Sequence, residues 1–407
     1  MTRQPFSRQT PTRALSSVYG KIEQMLLAYP GGKGGVDAAD ILKRYGKLFE
    51  AFRDRVTFVI LGHFGEDSDL LDQARLAFEA AMRASQLDPA QHLIVCHAPL
   101  AAGNARALAS KPHEFDHKDF IQDPFVVMET DTGATVLLEP ITQLNPRNAY
   151  VAEQLAAQAG FLVQPTAFKL EGGNILIGDD FALVGKNTLL MNLELGCRMQ
   201  PQHPEAWVRG ELARILGVRY LYWVGMETPL DLGDFHNTGH GYHQQPFFHL
   251  DLFLTLTGKT SKGDEGIAVG KIEIDSVLDA NDEDKVRLAD INTALETITV
   301  QLQRLGRDLQ GPRLHIVTWE MGGKILTSGK TRSFVPYSYN NAHIESFAGI
   351  SRAYLPQYPS CKDLEQRIAS KLKVLNIQHQ IFIDNDFDFH ASRHGSLHCL
   401  SKVLKRI

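Results

Sequence analysis

Residues 174–185 read Asn-Ile-Leu-Ile-Gly-Asp-Asp-Phe-Ala-Leu-Val-Gly. Two short apolar runs face each other across Gly178-Asp-Asp, the pattern of a hairpin. Residues 205–216 then carry apolar side chains at helical spacing, and Tyr220-Leu-Tyr-Trp-Val is a third strand-like run. The unit is strand, strand, helix, strand.

The same order recurs on both sides. Upstream, Phe125-Val-Val-Met and Thr135-Val-Leu-Leu flank an Asp-Thr-Gly turn, and a helix over 147–158 leads to Phe161-Leu-Val. Downstream, strands over 250–256 and 266–274 precede a helix over 290–305 and the run Leu314-His-Ile-Val-Thr-Trp. Ala342-His-Ile-Glu and Ser351-Arg-Ala-Tyr-Leu then precede a helix over 363–375 and Ile381-Phe-Ile. A less regular copy opens at Val56-Thr-Phe-Val-Ile-Leu, with a helix over 67–86 and the strand His92-Leu-Ile-Val-Cys-His. Ahead of it, residues 14–56 are expected to be helical, interrupted at Gly31–Gly35. Repeats of this length constrain the fold, because each unit has a sheet face that must be covered. The expectation is an α/β protein, a five-bladed propeller of ββαβ repeats with helices outside. It predicts a single catalytic domain over 51–407 and an N-terminal tail and helical extension over 1–50.

Composition narrows the function. The 407 residues are 43% apolar and 22% charged, as in an ordinary globular protein. A net charge of −5 gives no bias toward nucleic acid or an anionic membrane. No run approaches the roughly 18 apolar residues of a spanning helix. Residues 1–21, with Arg3, Arg8 and Arg13, lack the apolar core of a secretory signal. Cys96, Cys197, Cys361 and Cys399 are widely spaced and form no CxxC pair. That argues against a disulfide framework or a cysteine zinc site and favours a reducing, cytoplasmic setting. The run Pro30-Gly-Gly-Lys-Gly-Gly lacks the ending of a phosphate loop.

Polar residues break the apolar pattern at the edges of the units: Gln122-Asp123-Pro, Glu171-Gly-Gly-Asn174, His249-Leu-Asp251 and Leu397-His398-Cys399. If corresponding ends meet at the axis, Asp123, Glu171, His249, Asp251 and Cys399 share one pocket. On a strand, His249 and Asp251 would face the same side. This set suits attack on a guanidinium, which is planar and cationic at neutral pH. Two carboxylates bind its N–H groups, a thiolate attacks the central carbon, and an imidazole moves protons. Taken singly, each residue reads as turn chemistry or a surface pair; their equivalent placement is what favours a site. His236, His240 and His243 form a competing set, but Gly239 and Gly241 oppose the helix that would align them as metal ligands. A loop covering the substrate is the reading preferred there, and no metal is expected.

These motifs resemble the guanidine-modifying enzymes of the pentein superfamily: arginine, agmatine and peptidylarginine deiminases, dimethylarginine hydrolases and amidinotransferases. The C-terminal Arg393-His394-Gly395-Ser-Leu-His398-Cys399 is most similar to peptidylarginine deiminases, as is Phe120-Ile-Gln122-Asp123. Ser338-Tyr-Asn-Asn341 looks like agmatine deiminases, and Glu171-Gly-Gly and His249-Leu-Asp251 like arginine deiminases. The resemblance implies a five-bladed α/β propeller and hydrolytic deimination of an arginyl compound or agmatine, giving a ureido product and ammonia through a cysteine thioether. Amidino transfer through the same thioether, or a non-catalytic pentein that binds a partner, are the alternatives. It implies Cys399 as nucleophile, His249 as general acid and base, Asp123 and Asp251 as guanidinium ligands, and Glu171 orienting His249. Phe120, Gln122, Asn174, Asn341 and Arg393 are the expected substrate contacts. No cofactor is implied: the calcium sites and N-terminal sandwich domains of vertebrate peptidylarginine deiminases have no evident counterpart. The expected partner is a small or peptidyl guanidine, not nucleic acid or membrane, with self-association left open.

Overall fold

The computed structural model describes residues 11–29, 37–53, 55–62, 68–97, 121–141, 151–235, 243–307, 311–384, 387–391 and 395–407. They form five small sheets of three or four strands. In the first blade, Val126–Thr130 pairs antiparallel with Thr135–Pro140, which pairs parallel with Leu162–Thr166 after the helix Val151–Ala159. The second repeats this with Ile175–Ile177, Phe181–Gly185 and Tyr220–Val224, the crossover being the helices Lys186–Met199 and Pro204–Leu216. The third uses Leu254–Lys259, Glu265–Leu278 and Leu314–Ser328 around Asp282–Leu305, and adds Thr331–Tyr337 at its edge. The fourth uses His343–Phe347, Ile350–Pro356 and His379–Ile383 around Lys362–Val374. Parallel neighbours need a long crossover, and the helices supply it while covering the sheets.

The fifth copy differs from the expectation. Its first strand is Ser401–Arg406, at the C-terminal end, and its second is Ile22–Tyr29, paired antiparallel with it. The helix Ala38–Ala51 then crosses to Thr57–Gly62, parallel to Ile22–Tyr29. The unit is therefore split between the two ends of the chain. Residues 22–29, expected to be helical, are a strand whose eight residues are mostly buried. The reason is tertiary: Ile22, Met25, Leu26, Leu27 and Ala28 are fully buried inside a sheet, where burial overrides local helical preference. Pro11–Ala14 adds to the first blade through Val126–Thr130. Pairing thus runs across residue 50, and the described residues of the expected N-terminal extension supply strands and a helix to the blades.

Arg406 ties the ends together. Its buried guanidinium donates to the carbonyls of Ser17, Val18, Gly20 and Ile344. Buried polar groups must be paired, so these bonds hold the segment ahead of Ile22 against the fourth and fifth blades. The core lies between the blades and their helices, with Phe49, Phe52, Phe58, Trp319, Tyr354 and Tyr358 fully buried.

Candidate active site

Each blade is entered at the axis, just before its first strand. The five entries are 121–125, Glu171–Asn174, His249–Leu252, 338–342 and 396–400. In three of them a single helical turn intervenes: Gly172–Asn174, Leu250–Leu252 and Leu397–Leu400. Such turns aim consecutive polar side chains inward before the strand begins. His249 and Asp251 therefore converge through a turn, not by strand alternation as the spacing had predicted.

The entries touch in a closed ring. Ile121 N–H donates to the Cys399 carbonyl (3.0 Å). Gly173 N–H donates to Asp123 Oδ1 (3.2 Å). His249 Nε2 donates to Glu171 Oε2 (3.2 Å). Asn341 Nδ2 donates to the Asp251 carbonyl (3.3 Å), and Cys399 N–H donates to Asn341 Oδ1 (3.1 Å). Two glycines make the closeness possible. A Cβ at Gly172 would stand 2.1 Å from the Gln122 carbonyl oxygen, and one at Gly173 would stand 2.7 Å from His249 Nδ1.

The structure brings all five predicted catalytic side chains to this ring. Cys399 Sγ lies 3.6 Å from Asp251 Oδ2 and accepts from Asn341 Nδ2 at 3.1 Å. The other face of His249, at Nδ1, is 3.6 Å from Asp123 Oδ1. Asp123 keeps 26% of its side chain exposed, whereas Asp251 keeps 2%, so Asp123 presents the open carboxylate. Asp251 Oδ1 is buried without a hydrogen-bond partner, leaving an acceptor to spare beside the thiol.

Electrostatics divide the groups. Burial alone would lower the His249 pKa, but Asp123, Glu171 and Asp251 outweigh it and raise it to about 10. Burial raises the Asp123 pKa, against the pull of His249. The Cys399 thiol is pushed well up, first by burial and then by the Asp251 and Asp123 carboxylates. The ring without a bound cation therefore holds a thiol, not a thiolate, together with an imidazolium.

The predicted substrate contacts fare differently. Gln122 stands at the ring, its Nε2 3.5 Å from His398 Nε2. Asn341 braces the Cys399 backbone and sulfur. Asn174 is a correction: it is fully buried, bonded to Thr188 Oγ1 and the Gln245 amide, because the turn after Gly173 directs it into the second blade. Phe120, Arg393 and His394 lie outside the described residues, as do His236 and His240 of the alternative metal set and the Gly31–Gly35 run.

Sequence reasoning missed two partners. His398 Nδ1 donates to Asp251 Oδ2 (2.8 Å), so His398 faces the carboxylate. Lys402, in the strand after Cys399, is 4% exposed and donates to the Gln122 carbonyl (2.6 Å). The strand Ser401–Arg406 is Ser-Lys-Val-Leu-Lys-Arg, and a lysine in such a terminal strand reads as an edge charge in water.

Among the described residues, no helix is long and apolar enough to cross a membrane. No protein-family model and no curated protein matches the sequence. Solved structures do match over nearly the whole length. The agmatine deiminase of C. jejuni is 16% identical, covers 96% of this chain and 95% of its own, and superposes with a TM-score of 0.58. The agmatine deiminase of Enterococcus faecalis is 13% identical, covers 97% and 96%, and has a TM-score of 0.59. At such identity the likeness is one of fold, and it agrees with five ββαβ units closed on an axis: the chain has the pentein fold.

Proposed function

We propose that the chain is a cysteine-dependent deiminase that hydrolyses the guanidinium of an arginyl compound or agmatine to a ureido group and ammonia. The observation that carries this reading is the acidic ring itself: Asp123, Glu171 and Asp251 around a buried thiol and an imidazolium. A permanently cationic, planar group with five N–H donors is the ligand such a ring fits. Each carboxylate contact is worth about 4 kcal/mol at about 4 Å and an intermediate dielectric, before desolvation is subtracted.

In this reading the substrate brings its own activation. Asp123 and Asp251 hold the thiol pKa up, and a bound guanidinium neutralises them. The thiol proton leaves to solvent, and the sulfur of Cys399 bonds to the guanidinium carbon. His249, protonated because its pKa is about 10, gives its proton to the departing nitrogen, and the C–N bond breaks to release ammonia. Neutral His249 then takes a proton from water, which adds to the amidino-thioether carbon. The C–S bond breaks, leaving the ureido product and the thiolate. Glu171 holds the His249 ring throughout.

The test is incubation with arginine, agmatine and an arginine-containing peptide, following ureido product and ammonia, with mass spectrometry of the trapped Cys399 adduct. Turnover of at least one compound is expected, with Cys399→Ala reducing it by about 10³-fold or more. If none releases ammonia or labels Cys399, the reading is wrong.

A further inference from the structure

Below the acidic ring the axis changes sign. A cavity of about 60 Å³ lies there, lined among others by Gln122, His343, His398, Lys402 and Arg406. Arg406 is spent on backbone carbonyls. Lys402 is different. Its ammonium donates to the Gln122 carbonyl, and no carboxylate oxygen among the described residues lies within 4.0 Å of it. It also stands over the Phe125 ring, 5.0 Å from the centroid. A Cβ at Gly172 would fall 2.7 Å from its Nζ, so Gly172 leaves the room that it occupies. A buried lysine without a contact carboxylate is costly, and a full charge there needs a compensating field.

That field comes from the site. We propose that Lys402 is a positioning residue for the guanidinium site: a resident cation behind the Gln122–Asp123 peptide that keeps Asp123 ionised before substrate arrives. This rests on the deiminase reading for its substrate, though its effect on Asp123 does not need turnover. Asp123 faces Lys402 from the first entry, and Glu171 stands at the second, beside Gly172. Asp251 and His249 belong to the third. His343 lies on the fourth, and His398, Cys399 and Arg406 flank Lys402 in its own segment. Burial lowers the Lys402 pKa to about 8, against Asp123 and Asp251, which hold it up. Lys402 is thus charged at neutral pH and loses that charge in mildly alkaline solution. Its hydrogen-bond partner is the carbonyl of Gln122, the residue just before Asp123, so the ammonium holds the peptide that carries that carboxylate and adds its charge behind it.

The experiment reads the site charge through Cys399 itself. The chain is alkylated in parallel by 2-chloroacetamidine, a cation, and by 2-chloroacetamide, its neutral counterpart, from pH 5 to pH 10, and the Cys399 adducts are quantified by mass spectrometry. The ratio of the two rates rises with pH as Asp123 ionises. In Lys402→Met the rise is expected about one pH unit higher, a roughly tenfold lower ratio on the acid side. Above about pH 9 the two proteins are expected to agree, because Lys402 is then neutral in the unmodified chain. Lys402→Arg, charged throughout, should retain the acid-side ratio. Lys402→Gln replaces Lys402→Met if the latter does not fold. A ratio unchanged by loss of the charge, or displaced equally at every pH, overturns the proposal, the latter being a packing defect. The deiminase reading fails separately, through absence of ammonia from guanidine compounds by the unmodified chain.

Discussion

His249, at the entry to the third blade, and His343, the first residue of the fourth blade's leading strand, are both buried imidazoles, yet they are driven in opposite directions. His249 sits among Asp123, Glu171 and Asp251, and its pKa rises to about 10. His343 sits deeper, beside His398 and Arg406, and its pKa falls well below the usual 6.5, by burial first and those neighbours second. Its Nε2 is 2.7 Å from Ser401 Oγ, a neutral partner. Burial penalises charge in both places; the sign of the surrounding charges decides which form survives. The axis therefore has an acidic face that suits a cation and proton transfer, and a basic floor that carries neutral imidazole.

The largest test of that contrast is His249→Gln. It should lower kcat by about 10²–10⁴, the range for a lost general acid or base. In the unmodified protein kcat should decline as pH rises through about 10, where His249 loses its proton, and the variant should lack that limb. A variant with unaltered kcat would remove His249 from the mechanism. Of intermediate size is Gly173→Ala. The new Cβ would meet His249 Nδ1 at 2.7 Å and Asp251 Oδ2 at 3.1 Å, displacing both from their places in the ring. Loss of about tenfold to a hundredfold in kcat/KM is expected, as for a small misplacement of reacting groups. Unchanged steady-state kinetics would mean the entries are less tightly packed than this geometry.

The smallest effect belongs to the floor. Because the folded His343 resists protonation, the unfolded chain binds the extra proton below pH 6.5, and its contribution lowers stability as pH falls through that value. His249 does the reverse: its contribution is full below pH 6.5 and is lost as pH rises toward 10. His343→Gln should therefore shrink the drop in urea midpoint between pH 7 and pH 5 while leaving the alkaline side alone. If the acid-side drop is the same in both proteins, His343 is not its source.

Much of this is legible in the sequence alone. Asp123, Glu171, His249–Asp251 and Cys399 stood out as polar breaks ahead of, or at the edge of, apolar strands. The fourth entry is harder to see, because Asn340–Asn341 reads as an ordinary turn before His343–Phe347. The strand Ile22–Tyr29 reads as helix in the sequence because Glu23-Gln24 precede an unbroken apolar run, Met25 to Tyr29, without the alternation of a half-buried strand. Asn174 looked like part of the Glu171 motif and is instead turned into the second blade.

The sequence by itself determined the ββαβ repeat, since strand and helix periods are local, and it determined which residue types stand at the entries. Only the tertiary structure decided that one repeat is shared by the two chain ends, with Ser401–Arg406 pairing Ile22–Tyr29, because that pairing joins residues almost 400 positions apart. Only it decided that Asn341 braces the thiol, that His398 turns to Asp251, and that Lys402 is buried under the acidic ring. Local pattern cannot carry such facts: charge and burial at the axis are set by five distant segments at once.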